Sequence, residues 1–183
     1  MLSAMPQFTA KVCDIYAAMG RSFEFRTEFN EKLRLAEESL ICLCNCEIPN
    51  AVCHADIRPG NVRRMETQDA LYDWGLAFYG HPFYDVLHFL RVVRRHVTEE
   101  QMRCIADAYL SQWTKYAGKD SLRAAYTQAE ACLGYFMLTT DCRWVSDIID
   151  ACGGRPLAES LDEWALQSRF ASFDKVLRRF MEE

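Results

Sequence analysis

Residues 54–61 read His-Ala-Asp-Ile-Arg-Pro-Gly-Asn, and residues 73–75 read Asp-Trp-Gly. Between these two motifs, residues 62–72 contain two short apolar runs separated by a polar run. Short apolar runs on either side of a polar turn predict a β-hairpin. Such a hairpin would bring Asn61, at its beginning, next to Asp73, at its end. The polar side chains of both motifs would then lie in one place.

The sequence that precedes these motifs is helical in pattern. Apolar side chains repeat along one helix face in residues 8–19 and again in residues 25–40, and Gly20 lies between the two stripes. Residues 51–53 form a short apolar run that predicts a brief strand directly before the first motif. We therefore expect two helices followed by a strand.

The sequence after residue 85 is helical as well. Thr98 and Gln101 have the spacing of a capping box, which predicts that a helix begins there. The apolar stripe of this helix stops at Gly118. Pro156 suits the first turn of the last predicted helix. The expected helices cover residues 98–118, 122–137, 144–149 and 156–180. The chain is thus predicted to be mainly α, with one small inserted β-hairpin.

The two motifs resemble those of the aminoglycoside phosphotransferase and choline kinase-like family, which has the kinase-like fold. The loop of that family reads His-Gly-Asp-x-x-x-x-Asn, and this chain matches it with alanine in place of the glycine. Residues 73–75 resemble the metal-binding Asp motif, and residues 80–85 resemble a Gly-x-Pro-x-x-Asp segment. The motif resemblance covers about residues 26–95. It implies that the chain is a protein-kinase-like C-terminal lobe.

The resemblance implies that four polar residues take part in phosphoryl transfer from ATP to a hydroxyl group. Asn61 and Asp73 would bind Mg²⁺, which prefers hard oxygen ligands and keeps several water molecules. Asp56 would accept a hydrogen bond from the acceptor hydroxyl. Arg58 follows two residues later, where protein kinases commonly have a lysine, and would contact the γ-phosphate. Asp56 and Arg58 are therefore the predicted catalytic residues, and Mg²⁺ and ATP the predicted cofactors.

Two further residues are predicted to support the loop rather than to react. His54 orders the loop in the related family, and Asp85 resembles the residue that holds the loop through backbone N–H groups. Both have ordinary alternatives, since His54 also fits a structural histidine and Asp85 a residue that begins a helix. For Asp56, Asn61 and Asp73 the alternative is a polar surface loop that matches the motif by chance.

The part of a kinase that grips ATP is expected to lie outside this sequence. Gly20 is the only glycine before Gly60, and no Val-Ala-Ile-Lys-like strand precedes the motif loop. The resemblance therefore implies a lobe without its N-terminal partner lobe, weakly active or inactive in isolation. Three explanations stay open: a piece of a longer kinase, one chain of a split enzyme, or an inactive lobe that serves as a binding or scaffold module. An uncovered docking seam would favour self-association.

The predicted lobe has three parts: N-terminal helices at residues 1–46, catalytic and metal-binding loops at 47–85, and helices that would bind the acceptor at 86–183. The acceptor is expected to be a hydroxyl-bearing small molecule. Aminoglycoside, choline-like, amino-acid and sugar acceptors all stay open. The formal net charge of −5 slightly favours a substrate that carries amines and argues against a nucleic-acid partner.

The nine cysteines do not look like a disulfide framework, because their number is odd and they are scattered. They are expected to be reduced and mostly buried, as in a cytoplasmic protein. Cys42, Cys44 and Cys46, followed by Cys53 and His54, leave a zinc site as an alternative, although the usual structural zinc sites have a different spacing. No apolar run approaches the roughly 18 residues of a membrane span, so no membrane partner is expected.

Overall fold

The computed structural model describes residues 5–151 and 163–182, which contain six α-helices, two single-turn 3₁₀ helices (Pro59–Asn61 and Trp74–Leu76) and four short strands. The helices are α1 (Met5–Ala18), α2 (Arg26–Cys44), α3 (Phe83–Val93), α4 (Glu99–Ser111), α5 (Lys119–Ala151) and α6 (Glu163–Glu182). The strands are β1 (Ala51–Cys53), β2 (Val62–Arg64), β3 (Asp69–Leu71) and β4 (Phe78–Gly80). Most described residues lie in helices, which confirms the prediction of a mainly α chain.

The four described strands form two separate antiparallel pairs. β2 pairs with β3 as the predicted hairpin, with Val62 opposite Leu71. β1 pairs with β4, with Val52 opposite Tyr79, and the sequence does not predict this second sheet. The β1–β4 sheet positions the motif loop, because β1 leads directly into residues 54–61 and β4 leads into α3.

The helices α1 and α2 follow the two predicted apolar stripes, and Gly20 between them has a φ of 67°. α4 begins with the predicted capping box. The Gln101 N–H donates to the Thr98 hydroxyl at 3.2 Å, and the Thr98 N–H donates to the Gln101 side chain at 2.8 Å. The last predicted helix corresponds to α6, and its expected first residues, 156–162, lie outside the described part.

Two predicted helix boundaries are wrong. The helix that begins after Thr98 ends at Ser111 and not near Gly118. After Ser111 the chain forms tight turns, in which a backbone N–H donates to the carbonyl three residues earlier. The two helices expected between residues 122 and 149 are one continuous helix, α5. No glycine or proline lies in residues 138–143, and two threonine hydroxyls in this stretch donate to the Phe136 carbonyl inside the helix.

The chain divides into two compact units, of which the first comprises Met1–Glu38 and Gly134–Glu183. Its described core is rich in aromatic rings. Phe29 and Phe173 are fully buried, and the ring of Tyr16 meets Phe173 edge to face at 6.2 Å between centroids. The Tyr16 hydroxyl donates to the Asp174 carboxylate, and burial, assisted by this carboxylate, raises the pKa of Tyr16.

The second unit, Ser39–Leu133, contains both sheets, α3 and α4, and all six predicted site residues. Phe83, in the first turn of α3, is fully buried and meets the ring of Tyr109 edge to face. The Tyr109 hydroxyl donates to the Pro82 carbonyl at 2.8 Å. These contacts hold the beginning of α3, from which Asp85 reaches the motif loop.

The described cysteines are free thiols, and fewer of them are buried than the sequence predicts. Cys42, Cys44 and Cys104 are exposed, whereas Cys53, Cys132 and Cys142 are buried. In α2 the reason is helical geometry, because Leu40 and Leu43 occupy the buried face and turn the neighbouring thiols outward. None of the described helices is long and apolar enough to cross a membrane.

Candidate active site

The motif loop, residues 54–61, leaves β1 with a strained backbone. Ala55 has a φ of 67°, in the left-handed region that favours glycine, and its methyl group is buried. A left-handed conformation costs a residue with a Cβ atom about 1–2 kcal/mol. The motif that the loop resembles has glycine at this position. The alanine here keeps the backbone shape only because other contacts hold it.

Asp85 supplies the strongest of these contacts. Its Oδ2 atom accepts a hydrogen bond from the His54 N–H at 2.8 Å, and its Oδ1 atom accepts one from the Ala55 N–H at 2.8 Å. Asp85 is buried in the first turn of α3, where the helix dipole favours a negative charge. A buried carboxylate with two backbone donors is a strong anchor, so α3 fixes the strained turn directly before Asp56.

His54 links the motif loop to the chain that precedes Asp73. Its Nδ1 atom accepts a hydrogen bond from the Asp56 N–H at 3.3 Å, so the proton of the neutral ring is on Nε2. Nε2 lies 2.7 Å from the Tyr72 carbonyl oxygen and donates to it. The ring also packs against Trp74 at 4.6 Å between centroids. The histidine is almost completely buried and bridges both motifs.

Asp56 and Asn61 lie side by side within the loop. The Asn61 Nδ2 atom donates to the Asp56 carbonyl at 2.9 Å and to the Asp56 Oδ2 atom at 3.0 Å. The Arg58 Nε atom lies 3.1 Å from the same Oδ2 atom, with the Arg58 side chain half exposed. Asp56 Oδ1 has no hydrogen-bond partner among the described residues, so it is the oxygen that can accept from a ligand.

The β2–β3 hairpin places Asp73 near the end of the motif loop. The Tyr72 N–H donates to the Asn61 carbonyl at 2.9 Å, which extends the hairpin pairing to the residue before Asp73. Asp73 has a φ of 64° and a ψ of 61°, and this left-handed residue turns the chain out of the hairpin. Its carboxylate is exposed and has no partner within the described part of the chain.

The side chains of Asn61 and Asp73 fit a hard divalent cation. The Nδ2 group of Asn61 is used by Asp56, which leaves its Oδ1 oxygen as a ligand atom. Asp73 adds an unpaired carboxylate. Within the described residues no group of three or more His, Cys, Asp or Glu side chains is arranged around a common metal position. A magnesium ion here would therefore take its other ligands from phosphate and water, as this ion commonly does.

The structure brings the predicted residues together within one unit. Asp56, Arg58 and Asn61 contact one another directly, and Asp85 holds the turn before them. Asp73 follows the residue that pairs with Asn61. The arrangement offers one oxygen that can accept a proton, one guanidinium for an anion and two oxygens for a cation. The catalytic and metal-binding roles themselves stay predictions.

Sequence reasoning misses two buried histidines next to this site. His81 accepts a hydrogen bond from the Phe83 N–H at its Nδ1 atom (3.3 Å), and its Nε2 atom lies 3.5 Å from the sulfur of Cys46. Burial lowers the pKa of His81 to about 4. His88 lies on α3, three residues after Asp85. That spacing places both side chains on one helix face, and is the signal by which the sequence could have revealed His88.

The geometry agrees with what comparison with known proteins finds. A family model described as the phosphotransferase enzyme family matches residues 14–124, which is more than half of the chain and includes all six predicted site residues. No curated protein matches the chain.

Proposed function

This chain belongs to the phosphotransferase enzyme family, and from that premise we propose that it transfers the γ-phosphate of ATP to a hydroxyl group of a small molecule. The observation that carries the proposal is the cluster of Asp56, Arg58 and Asn61, with Asp73 at the end of the paired hairpin. This is the set of groups that phosphoryl transfer uses, since the protein mainly positions the reactants and stabilises charge.

Asp56 is proposed to orient the acceptor and to take its proton. The acceptor hydroxyl donates a hydrogen bond to the Oδ1 atom of Asp56, which accepts no hydrogen bond from any described residue. As the hydroxyl oxygen bonds to the γ-phosphorus, the bond between that phosphorus and the leaving ADP oxygen breaks, and the hydroxyl proton passes to Asp56. Asn61, whose Nδ2 atom donates to Oδ2, keeps the carboxylate in one orientation during this step.

Arg58 and the metal-binding pair are proposed to act on the phosphate groups. The ion pair between Arg58 and Asp56 is partly exposed, so its rearrangement costs little. The guanidinium can therefore turn towards the γ-phosphate without leaving the site. Mg²⁺ bound to Asn61 and Asp73 would neutralise negative charge on the transferred group.

An N-lobe is proposed to supply the rest of the nucleotide site. A glycine-rich loop that covers the phosphates and a lysine that orients them are the parts that this family resemblance implies beyond the catalytic loop. The β2–β3 hairpin supports a docking surface next to the site, because Val62, Leu71 and Trp74 are exposed apolar side chains. Without an N-lobe, the same exposed apolar surface would favour self-association of the chain.

The test is an assay of acceptor-dependent ADP formation at saturating Mg-ATP, with aminoglycoside, choline-like, amino-acid and sugar acceptors. Asp56→Asn should lower kcat by about 10²–10⁴-fold, because it removes the proton acceptor. Asp69→Asn is the matched control, since this exposed carboxylate on β3 pairs with Arg64 and not with the motif loop. Equal rates in the two variants would contradict the assignment of Asp56.

The alternative is a lobe that binds without catalysis. It predicts that an acceptor binds with the same affinity to wild-type protein and to the Asp56→Asn variant, while no variant transfers phosphate. Acceptor titration monitored by calorimetry, on the samples used for the activity assay, distinguishes the two functions.

A further inference from the structure

A cleft of about 870 Å³ lies in the first unit, between the chain that follows α1 and one face of α6. Its α6 residues run from Gln167 to Glu182 at spacings of three and four, so they share one helix face. Met19 and Arg21 line the other side. All six predicted site residues belong to the second unit, so this cleft is separate from the candidate active site.

The charged side chains of the cleft are mainly cationic. Four cations and two carboxylates line it, namely Arg21, Lys175, Arg178, Arg179, Asp174 and Glu182. This is an excess of two positive charges, although the whole chain has a formal net charge of −5. A concave surface with a local excess of one charge attracts ligands of the opposite charge. The cleft therefore favours an anion.

Asp174 orients a cation of the cleft, and its own charge is compensated. Its Oδ1 atom accepts a hydrogen bond from the Tyr16 hydroxyl, and its Oδ2 atom accepts one from Arg178 Nε at 2.8 Å. No described residue accepts from the terminal Nη groups of Arg178, which stay available to a ligand. Lys175, three residues earlier on the same face, is exposed and forms no hydrogen bond or ion pair with any described residue.

The C-terminal cap of α1 holds Arg21 at the cleft. The Gly20 N–H donates to the Ala17 carbonyl and the Arg21 N–H donates to the Tyr16 carbonyl, both at 2.9 Å. With a φ of 67° at Gly20, these two hydrogen bonds form a Schellman motif. The Arg21 guanidinium then lies over the Phe170 ring, 5.1 Å from its centroid. This contact leaves the N–H donors of the guanidinium for a ligand.

We propose that the cleft binds a small molecule that carries a phosphate monoester on a ring. Phosphate is indicated because planar guanidinium groups match its oxygens, and because its charge of about −1.5 to −2 at pH 7 matches the excess of two cations. A ring is indicated because small-molecule sites of about 300–1,000 Å³ hold far more than a bare phosphate. Met19 and Ala171 supply apolar contacts for it.

The first test is calorimetric titration of phenyl phosphate into the 183-residue chain at low ionic strength. We expect a Kd on the order of 0.1 mM. Inorganic phosphate, which lacks the ring, should bind at least about tenfold more weakly, and phenol, which lacks the charge, should not saturate. No saturable binding of the ester below about 10 mM would overturn the proposal, as would inorganic phosphate that binds equally tightly.

Lys175→Gln tests the cationic wall of the cleft. This exposed side chain has no partner among the described residues, so its loss should spare the fold but weaken binding of the ester about tenfold. Arg143→Gln is the matched control, because it removes one positive charge from an exposed position of α5 in the same unit, outside the cleft. Equal losses of affinity in the two variants would indicate general electrostatic attraction and overturn the proposal.

Arg58→Gln distinguishes the cleft from the motif loop, whose guanidinium could also attract a phosphate ester. We expect this variant to bind phenyl phosphate as the wild-type chain does. A loss of affinity in Arg58→Gln, with none in Lys175→Gln, would assign the ester to the motif loop and overturn the proposal. Neither outcome depends on phosphate transfer, so a failure of the proposed function would leave this test intact.

Methyl NMR of the wild-type chain gives a readout that needs no variant. The methyl signals of Met19 and Ala171, which line the cleft, should shift as phenyl phosphate is added. Met65, exposed in the second unit, is the reference and should not shift. Shifts at Met65 without shifts at Met19 and Ala171 would show that the ester binds elsewhere, and the proposal would then be wrong.

Discussion

At the scale of single residues, Ala55 concentrates the strain of the motif loop. Ala55→Val is expected to lower the free energy of unfolding by about 2–4 kcal/mol, because a β-branched side chain opposes a positive φ and the site is already filled. Urea denaturation measures the change. Ala70→Val in β3 makes the same substitution in a strand, where valine is favoured, and should change stability by less than about 0.5 kcal/mol. A loss of similar size in both variants would show that the backbone of Ala55 is not the cause.

His81 is expected to make the stability of the protein depend on pH. Burial lowers its pKa from 6.5 to about 4, so between these values the unfolded chain binds a proton that the folded chain does not. The free energy of unfolding therefore rises with pH in this window, and about 3 kcal/mol is lost as the pH falls from 6.5 to 4. His88, whose pKa burial also lowers, should add to the slope.

The His81→Gln variant should flatten this dependence, as measured by urea denaturation at intervals between pH 7 and pH 4. His96→Gln, at an exposed position, is the matched control. Equal slopes in these two variants would contradict the role given to His81.

At the scale of elements, the N-terminal cap of α4 stabilises a helix that packs next to the site. Thr98→Ala removes the hydroxyl that accepts from the Gln101 N–H and should lower the free energy of unfolding by about 1 kcal/mol. Thr127→Ala is the control, because this hydroxyl binds the Arg123 carbonyl within a helix and alanine is the better helix former. A stabilised or unchanged Thr98→Ala variant, seen in thermal melts, would contradict the capping contribution.

Elements with a local signal are the ones that the sequence predicts. The capping box at Thr98 and the β2–β3 hairpin depend on residues close in the chain, and both have the predicted form. β4 escapes prediction because its three residues gain their pairing from β1, 27 positions away at Val52 and Tyr79. The bridge from His54 to the Tyr72 carbonyl likewise depends on a contact between separate segments. Motif spacing can indicate which residues react, but it does not predict contacts between segments that are distant in the sequence.

At the scale of the whole molecule, we expect the 183-residue chain by itself to bind Mg-ATP only weakly. Asn61, Asp73 and Arg58 offer contacts to phosphate groups, whereas the described residues include no glycine-rich loop that could cover them. Each missing preorganised contact is typically worth about 3 kcal/mol, so two of them correspond to a loss on the order of 10⁴-fold in turnover. Isothermal titration should give a Kd on the order of 1 mM or weaker. Asp73→Asn should weaken even this binding, while Asp69→Asn should leave it unchanged. Micromolar affinity that Asp73→Asn abolishes would show that this lobe grips nucleotide alone, and the proposed dependence on an N-lobe would then be wrong.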